Sequence, residues 1–311
     1  MNKDIIFLTP VCTHNIWGGT RLNREFGYPI EGDDIGECWG ISAHPNGDGT
    51  VASGAYKGMK LSELWEKHPG LFGDTGMDRF PLLIKIIDAK DDLSIQVHPD
   101  DAYAKVHENG SLGKTECWFI LDCKENATLV VGHNAKSREE LEQMIQEGKW
   151  KEFIREIPIK PGDFIQIDPG TVHAIKGGTL LLETQQSSDI TYRVYDYDRL
   201  SNGKPRQLHI TQSIDVITVP AKSAENSVVH TEKKDDAIQQ LICCPYYTVY
   251  RIDVEHRVET WQDKPFVLMS VVEGEGTLNG TPLKKGDHLI LPDGYGKVEL
   301  QGRMQIIAST I

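Results

Sequence analysis

One turn–strand–turn pattern occurs twice in this chain, and it narrows the fold more than any other feature. Lys160-Pro161-Gly162-Asp163-Phe164-Ile165-Gln166-Ile167-Asp168-Pro169-Gly170-Thr171-Val172-His173 resembles Lys284-Lys285-Gly286-Asp287-His288-Leu289-Ile290-Leu291-Pro292-Asp293-Gly294-Tyr295-Gly296-Lys297. Each copy is a Gly-Asp turn, a short apolar strand and a Pro/Gly turn, so two related β units are expected. The first copy ends on histidine and the second on lysine. Metal chemistry is therefore expected in the first unit only.

The rest of the chain agrees with a mainly β fold. Gly, Pro and Asn-Gly recur at short intervals, with strand-like runs over 82–88, 92–98, 116–122, 128–131, 163–168 and 179–184. A polar, linker-like stretch begins near residue 224, and 247–254, 266–273, 276–278 and 288–291 again read as strands. We therefore expect two jelly-roll-like β-barrels, in units 1–224 and 225–311. Asn279-Gly280 signals a tight hairpin. Three short peripheral helices are expected over 62–67, 100–108 and 137–149, the last opening on a Ser137…Glu140 capping box.

Composition bears on the function class. A net charge of −13 disfavours nucleic acid and anionic membranes, which require a basic face. It leaves room for a small anionic substrate gripped by a few local cations. The apolar run Ile5 to Leu8 is too short for a signal core. No run approaches the ~18 apolar residues of a membrane helix. The six cysteines show no CxxC spacing and read as reduced, mostly buried thiols, so a cytoplasmic location is expected. A monomer or weak homo-oligomer is expected.

The chemistry gathers on Leu93-Ser94-Ile95-Gln96-Val97-His98, whose strand alternation turns Ser94, Gln96 and His98 to one face. Lys114, Glu116 and Trp118 share a face of the next polar strand, and His173 follows the Pro169-Gly170 turn at a strand entry. Gln96, His98, Glu116 and His173 supply two imidazoles, a carboxylate and an amide oxygen, a donor set that suits zinc or another borderline divalent ion. Taken singly, each has a plain reading: a strand histidine before proline is usually at the surface, and a lone glutamate is usually solvated. The joint pattern favours ligation. Glu183 ends an apolar strand, and Arg193 interrupts a Tyr/Val-rich one, where pairing with Asp196 or Asp198 is the simplest role. Lys114 and Arg199 are the other cations near these residues, and two arginines with a lysine could grip a phosphate.

At these residues the chain resembles the type I mannose-6-phosphate isomerases, in their short Gram-positive bacterial form. The resemblance runs through Trp17-Gly18-Gly19, Gly36-Glu37-Cys38-Trp39, Phe80-Pro81-Leu82-Leu83-Ile84-Lys85, Leu93 to Asp100, Lys114-Thr115-Glu116, Pro169 to Ala174, and Ser188-Asp189 with Tyr192-Arg193. It implies a bicupin fold and one zinc ion per chain on Gln96, His98, Glu116 and His173. It also implies a catalytic Arg193, with Ser94, Lys114, Glu183 and Arg199 lining the substrate site. The implied reaction interconverts mannose 6-phosphate and fructose 6-phosphate by proton transfer between C1 and C2. Glu183 is the base we expect, with Lys114 or a metal-bound water as rivals. The chain lacks the helical insert that longer members carry between Glu116 and the last histidine. An iron-dependent cupin oxygenase, which also uses two histidines and a carboxylate, and a non-catalytic sugar-phosphate-binding bicupin are the alternatives.

Overall fold

Gly162 and Gly286 head the two copies of the repeated turn, and both adopt a left-handed backbone, with φ of 90° and 93°. That conformation is open to glycine and costly for residues bearing a Cβ. In each copy the following aspartate closes the turn. Lys160 N–H donates to Asp163 Oδ2 at 3.0 Å, and Lys284 N–H donates to Asp287 Oδ2 at 2.8 Å. The strands that follow, Asp163–Ile167 and His288–Pro292, enter different sheets. The sequence repeat is thus a repeat in three dimensions.

The computed structural model of the chain describes residues 4–223 and 227–311. A seven-stranded antiparallel sheet runs in the order Val228–His230, Asp163–Ile167, Glu116–Cys123, Thr179–Gln186, Leu82–Ala89, Val11–Gly19, Ile35–Ile41. A five-stranded sheet runs Tyr192–Tyr195, Ile95–Val97, His173–Ala174, Thr128–His133, Ile154–Pro158. Their inner faces share one apolar cluster, in which Trp118, Ile165 and Leu181 meet Leu129, Val131 and Ile157. A nine-stranded sheet makes most of the C-terminal unit around the long strands Phe266–Leu278 and Gly296–Thr310. The fold is mainly β, as expected, with jelly-roll-like units. The sheets stay open and sandwich-like and do not close into rings.

Several boundaries differ from expectation. Strand 92–98 shortens to Ile95–Val97, because Asp92 turns its carboxylate to the Gly177 N–H and leaves the ladder. The expected 266–273 and 276–278 are one strand, Phe266–Leu278; Gly274, at φ 73°, carries it past a bulge between Val271 and Glu273. Asn279 and Gly280 make the expected hairpin, both with positive φ. The helices are Leu61–Lys67, Asp101–His107 and Arg138–Gln146. The last accepts its cap as expected, Glu140 N–H donating to Ser137 Oγ, but the Glu140 carboxylate reaches back to Lys136 N–H, not to Ser137. It ends before 149 because Gly148 turns left-handed. Three further short helices, Arg21–Phe26, Trp150–Phe153 and Ile210–Val216, were not expected, and none has a side-chain cap hydrogen bond at its start.

Backbone pairing crosses the polar stretch near 224 in both directions. The N-terminal strand Ile6–Thr9 pairs with His288–Pro292, and Val228–His230, inside the linker-like segment, pairs with Asp163–Ile165. Residues 224–226 themselves lie outside the described residues. Between the units sits an aromatic core in which Trp65, Phe72, Phe80 and Phe266 pack with ring centroids 4.9 to 6.1 Å apart. Burial of each such side chain is worth about 1.5–3 kcal/mol, which binds the units firmly. No helix among the described residues is long and apolar enough to cross a membrane. All six cysteines are free, but only Cys38 and Cys117 are fully buried.

Candidate active site

Strand register gathers the polar residues. In the five-stranded sheet Gln96 lies between two neighbours, opposite His173 on one side and Arg193 on the other. In the seven-stranded sheet Glu183 lies opposite Lys85 and Trp118. His98 stands just past its strand, before Pro99, and its carbonyl accepts the Gly170 N–H at 2.9 Å. That bond ties the Pro169-Gly170 turn, and hence His173, to the Gln96 strand. Lys114 N–H donates to the Pro99 carbonyl at 3.0 Å, which brings the third segment to the same place.

His98, Glu116 and His173 are all buried, with ligand atoms within 4.8 Å of one another. The His98 and His173 Nε2 atoms are 3.1 Å apart. Each lies 3.3 Å from a different oxygen of Glu116. Donors about 2.1 Å from one shared ion stand about 3.0–3.4 Å from each other at octahedral to tetrahedral angles, so the spacing fits a divalent cation. Protonation also fits. Burial, reinforced by the Lys114 charge, pushes His98 down to about 3, and burial lowers His173. His173 donates Nδ1–H to the Thr171 carbonyl at 2.9 Å, leaving Nε2 as a lone pair.

Glu116 decides the fit. Burial opposes its charge, but Lys114 and the two histidines outweigh it and hold the carboxyl well below its usual range. Lys114 Nζ is 3.1 Å from Oε2, yet neither oxygen receives a well-aligned hydrogen bond. A buried carboxylate with Lys114 on one oxygen and no aligned hydrogen bond, facing two imidazole Nε2 atoms, suits a bound cation. Gln96 stands beside them, its amide nitrogen 3.3 Å from His173 Nε2. All four expected ligands are therefore brought together.

A cavity of about 300 Å³ opens next to this cluster, with Ser94, Gln96, Lys114, Glu183 and Arg193 on its wall. Glu183 is buried, receives Trp118 Nε1–H at 3.0 Å and keeps Oε1 without a hydrogen-bond partner. Burial, then the nearby Glu116 charge, raises its carboxyl to about 7. Arg193 does not make the ion pair with Asp196 or Asp198 that is its simplest sequence reading. It gives one N–H to the Gln207 carbonyl at 2.8 Å and leaves a buried Nε without a partner.

Two family models match parts of the chain: "Phosphomannose isomerase type I, catalytic domain" at residues 5–119, and "Mannose-6-phosphate isomerase, cupin domain" at residues 237–311. Mannose-6-phosphate isomerase ManA of Bacillus subtilis (strain 168) is 50% identical over 314 residues, covering 99% of both chains. The chain belongs to the mannose-6-phosphate isomerase family. The Streptococcus mutans mannose-6-phosphate isomerase is 48% identical over 309 residues, covering 98% of this chain and 97% of that one. The crystal structure of the B. subtilis mannose 6-phosphate isomerase superposes with a TM-score of 0.93 at 48% identity, over 99% of this chain and 100% of that chain. A putative mannosephosphate isomerase from Archaeoglobus fulgidus, at 20% identity and TM-score 0.79 over 99% and 98% of the two chains, shares the fold.

The structure of this family member also corrects the sequence reading of its cavity. Arg199 is not on the wall: its guanidinium bonds Asp196 and the Asp92 carbonyl. Arg206 and His209 stand there instead. Lys85 and Glu37 are also on the wall. Lys85 is buried 3.3 Å from Glu37 and 3.7 Å from Glu183. Burial works against its charge, but these two carboxylates outweigh burial and raise its pKa. Lys85 had a readable signal, a lysine inside the fully buried run Leu82–Ala89, where a charge needs partners. Arg206 had none.

Proposed function

We propose that this chain interconverts mannose 6-phosphate and fructose 6-phosphate, with Glu183 moving the proton between C2 and C1. The observation that carries this reading is a buried carboxylate, raised to about 7, beside the His98–Glu116–His173 cluster in a cavity of substrate size. A base poised near the working pH suits proton abstraction next to a carbonyl.

In the forward direction Glu183 takes the proton from C2 of the open-chain aldehyde. The C2–H electron pair becomes the C1–C2 double bond, and negative charge moves to the C1 oxygen. Lys114 and Arg193 are the cations placed to stabilise that charge, in a site where burial strengthens them. Glu183 then returns its proton to C1 while the proton of the C2 hydroxyl passes to the C1 oxygen, leaving a ketone at C2 and a hydroxyl at C1. Lys85 holds Glu183 in place and limits how far its pKa rises, while Trp118 Nε1–H fixes its outer oxygen. Gln96, His98, Glu116 and His173 would hold one divalent ion, which we assign as zinc. Bound there, zinc supplies Lewis-acid polarisation of the sugar oxygens.

On this reading residues 1–224 carry the chemistry and 225–311 form a supporting unit without a metal site. Free thiols and the absence of a basic face agree with a cytoplasmic enzyme acting on a small anion. The test is direct: purified protein is given mannose 6-phosphate, and fructose 6-phosphate is measured through a coupled assay. Stoichiometric conversion supports the reading, and its absence in zinc-loaded protein contradicts it.

A further inference from the structure

Three arginines crowd one end of the cavity around a single carboxylate. Asp196 receives Arg206 Nη2 at 2.5 Å and Nε at 2.7 Å, and also Arg199 Nη2 at 2.6 Å. Arg193 has no ion pair among the described residues, and its Nε is buried without a partner. Arg193 and Arg206 line the cavity, whereas Arg199 does not. Positive charge is therefore in excess there, in a protein whose net charge is −13. Burial and the like charge of Arg206 lower the pKa of Arg193, as crowded cations without an anion should.

His209 completes the set. Its Nδ1 accepts the Arg193 backbone N–H at 3.2 Å, and its own N–H donates to the Arg193 carbonyl at 2.8 Å. The accepting Nδ1 puts the ring proton on Nε2, so a neutral His209, which burial favours, offers an Nε2–H donor at the cavity wall. The cavity's carboxylates are engaged elsewhere: Glu37 and Glu183 flank Lys85, and Asp189 accepts from Asn46 at 2.9 Å.

Arg193 is opposite Gln96, and Arg206, paired with Asp196, and His209, bonded to the Arg193 backbone, stand on the same cavity wall. The hairpin of Leu200–Ser201 with Lys204–Pro205 folds the chain back and delivers Arg206. We propose that Arg206 and His209 form the seat of the substrate's phosphate, and that the Arg206–Asp196 fork sets its position. This rests on the isomerase reading above. It leaves Arg193 to the reacting carbons, and it assigns to this hairpin the part of the pocket wall that the chain does not draw from a helical insert.

The experiment uses zinc-loaded full-length protein with Arg206→Gln, Arg206→Lys and His209→Asn, the last keeping an acceptor for the Arg193 N–H. Two quantities are read: KM for mannose 6-phosphate, and the affinity for inorganic phosphate by competition and calorimetry. A lost charge-assisted contact is worth about tenfold to a hundredfold in affinity. Arg206→Gln should weaken both quantities by about that factor, with kcat falling less than about threefold. Arg206→Lys should recover only part of the loss, because it keeps the charge without the fork. His209→Asn should weaken both by several-fold. Metal content and unfolding midpoint, read alongside, separate these effects from misfolding. Unchanged KM and unchanged phosphate affinity in Arg206→Gln and His209→Asn overturn the proposal while leaving the isomerase reading intact. If wild-type protein fails to turn over the sugar phosphate, calorimetry with inorganic phosphate still decides whether this seat binds the anion.

Discussion

The interior between the seven- and five-stranded sheets holds His98, Glu116 and His173, with Lys114, Lys85 and Glu183 beside them. The matching interior of the C-terminal unit is filled by Val254, Val271, Leu278, Leu289, Leu300 and Ile306. Both units enter through the same Gly-Asp turn with the same aspartate–backbone bond. Where the first repeat ends in buried His173, the second ends in Lys297, an exposed side chain pairing with Glu259 and Glu299. The C-terminal unit does have a buried histidine, and it sharpens the contrast. His288 meets Tyr28 Oη at 2.7 Å through Nε2 and Ser270 Oγ at 2.8 Å through Nδ1, so both nitrogens are satisfied. In the first unit the Nε2 atoms of His98 and His173 stand 3.1 Å apart, and each faces a different oxygen of Glu116. Satisfied polar groups lock a structure, and groups left wanting a cation mark where one binds.

The largest effect that can break this contrast is at the ligands. His98→Ala or His173→Ala should lose both bound metal and turnover, by about a thousandfold or more, since losing only a group that hydrogen-bonds to a ligand already costs about 10–100-fold. His288→Ala should leave the metal content unchanged. Normal metal content in His173→Ala would remove the distinction between the units.

Next comes Glu183. Glu183→Gln should lower kcat by about 10²–10⁴-fold with metal retained. Wild-type kcat/KM should rise with pH through about 7, because the raised carboxyl is protonated, and idle as a base, below that value. The same shift has a stability sign. Between its unfolded value and about 7 the folded protein binds a proton that the unfolded chain has released, so this group's contribution falls as pH rises. Glu183→Gln should flatten both dependences, and an unchanged acid limb would transfer the base role to Lys114.

Arg193 follows. Arg193→Ala should cost about 100-fold in kcat with normal folding and metal content, and Arg193→Lys should rescue little. Wild-type kinetics in Arg193→Ala would make the residue structural. The smallest effect on turnover is expected in the C-terminal interior. Leu289→Ala should cost about 2–5 kcal/mol of stability, read by denaturant unfolding, with activity per folded molecule unchanged. Loss of turnover in the folded variant would show that the second unit does more than support the first.

How much of this was legible in the sequence follows from range. Strand alternation placed Gln96 and His98 on one face, and the Pro-Gly turn placed His173 at a strand entry, because those are local consequences of backbone geometry. The helix cap at Ser137 was local too. The pairing of Ile6–Thr9 with His288–Pro292 was not, since nothing near either segment encodes a partner so distant. The same holds for Arg206, a cation just past a short hairpin, which turns back onto Asp196 ten residues earlier. Arg199 was misplaced because it and Arg206 share that one carboxylate, and sequence does not say which of them also reaches the cavity. The strand pattern and the family resemblance both pointed to Gln96, His98, Glu116 and His173, and their burial and spacing are compatible with that expectation.

The most direct test of the contrast between the two units is anomalous scattering from crystals of zinc-loaded protein at the zinc edge. One peak per chain is expected, bounded by Gln96, His98, Glu116 and His173, with none inside the C-terminal unit. A peak among the residues around Leu289 and Ile306, or no peak beside Glu116, would contradict it.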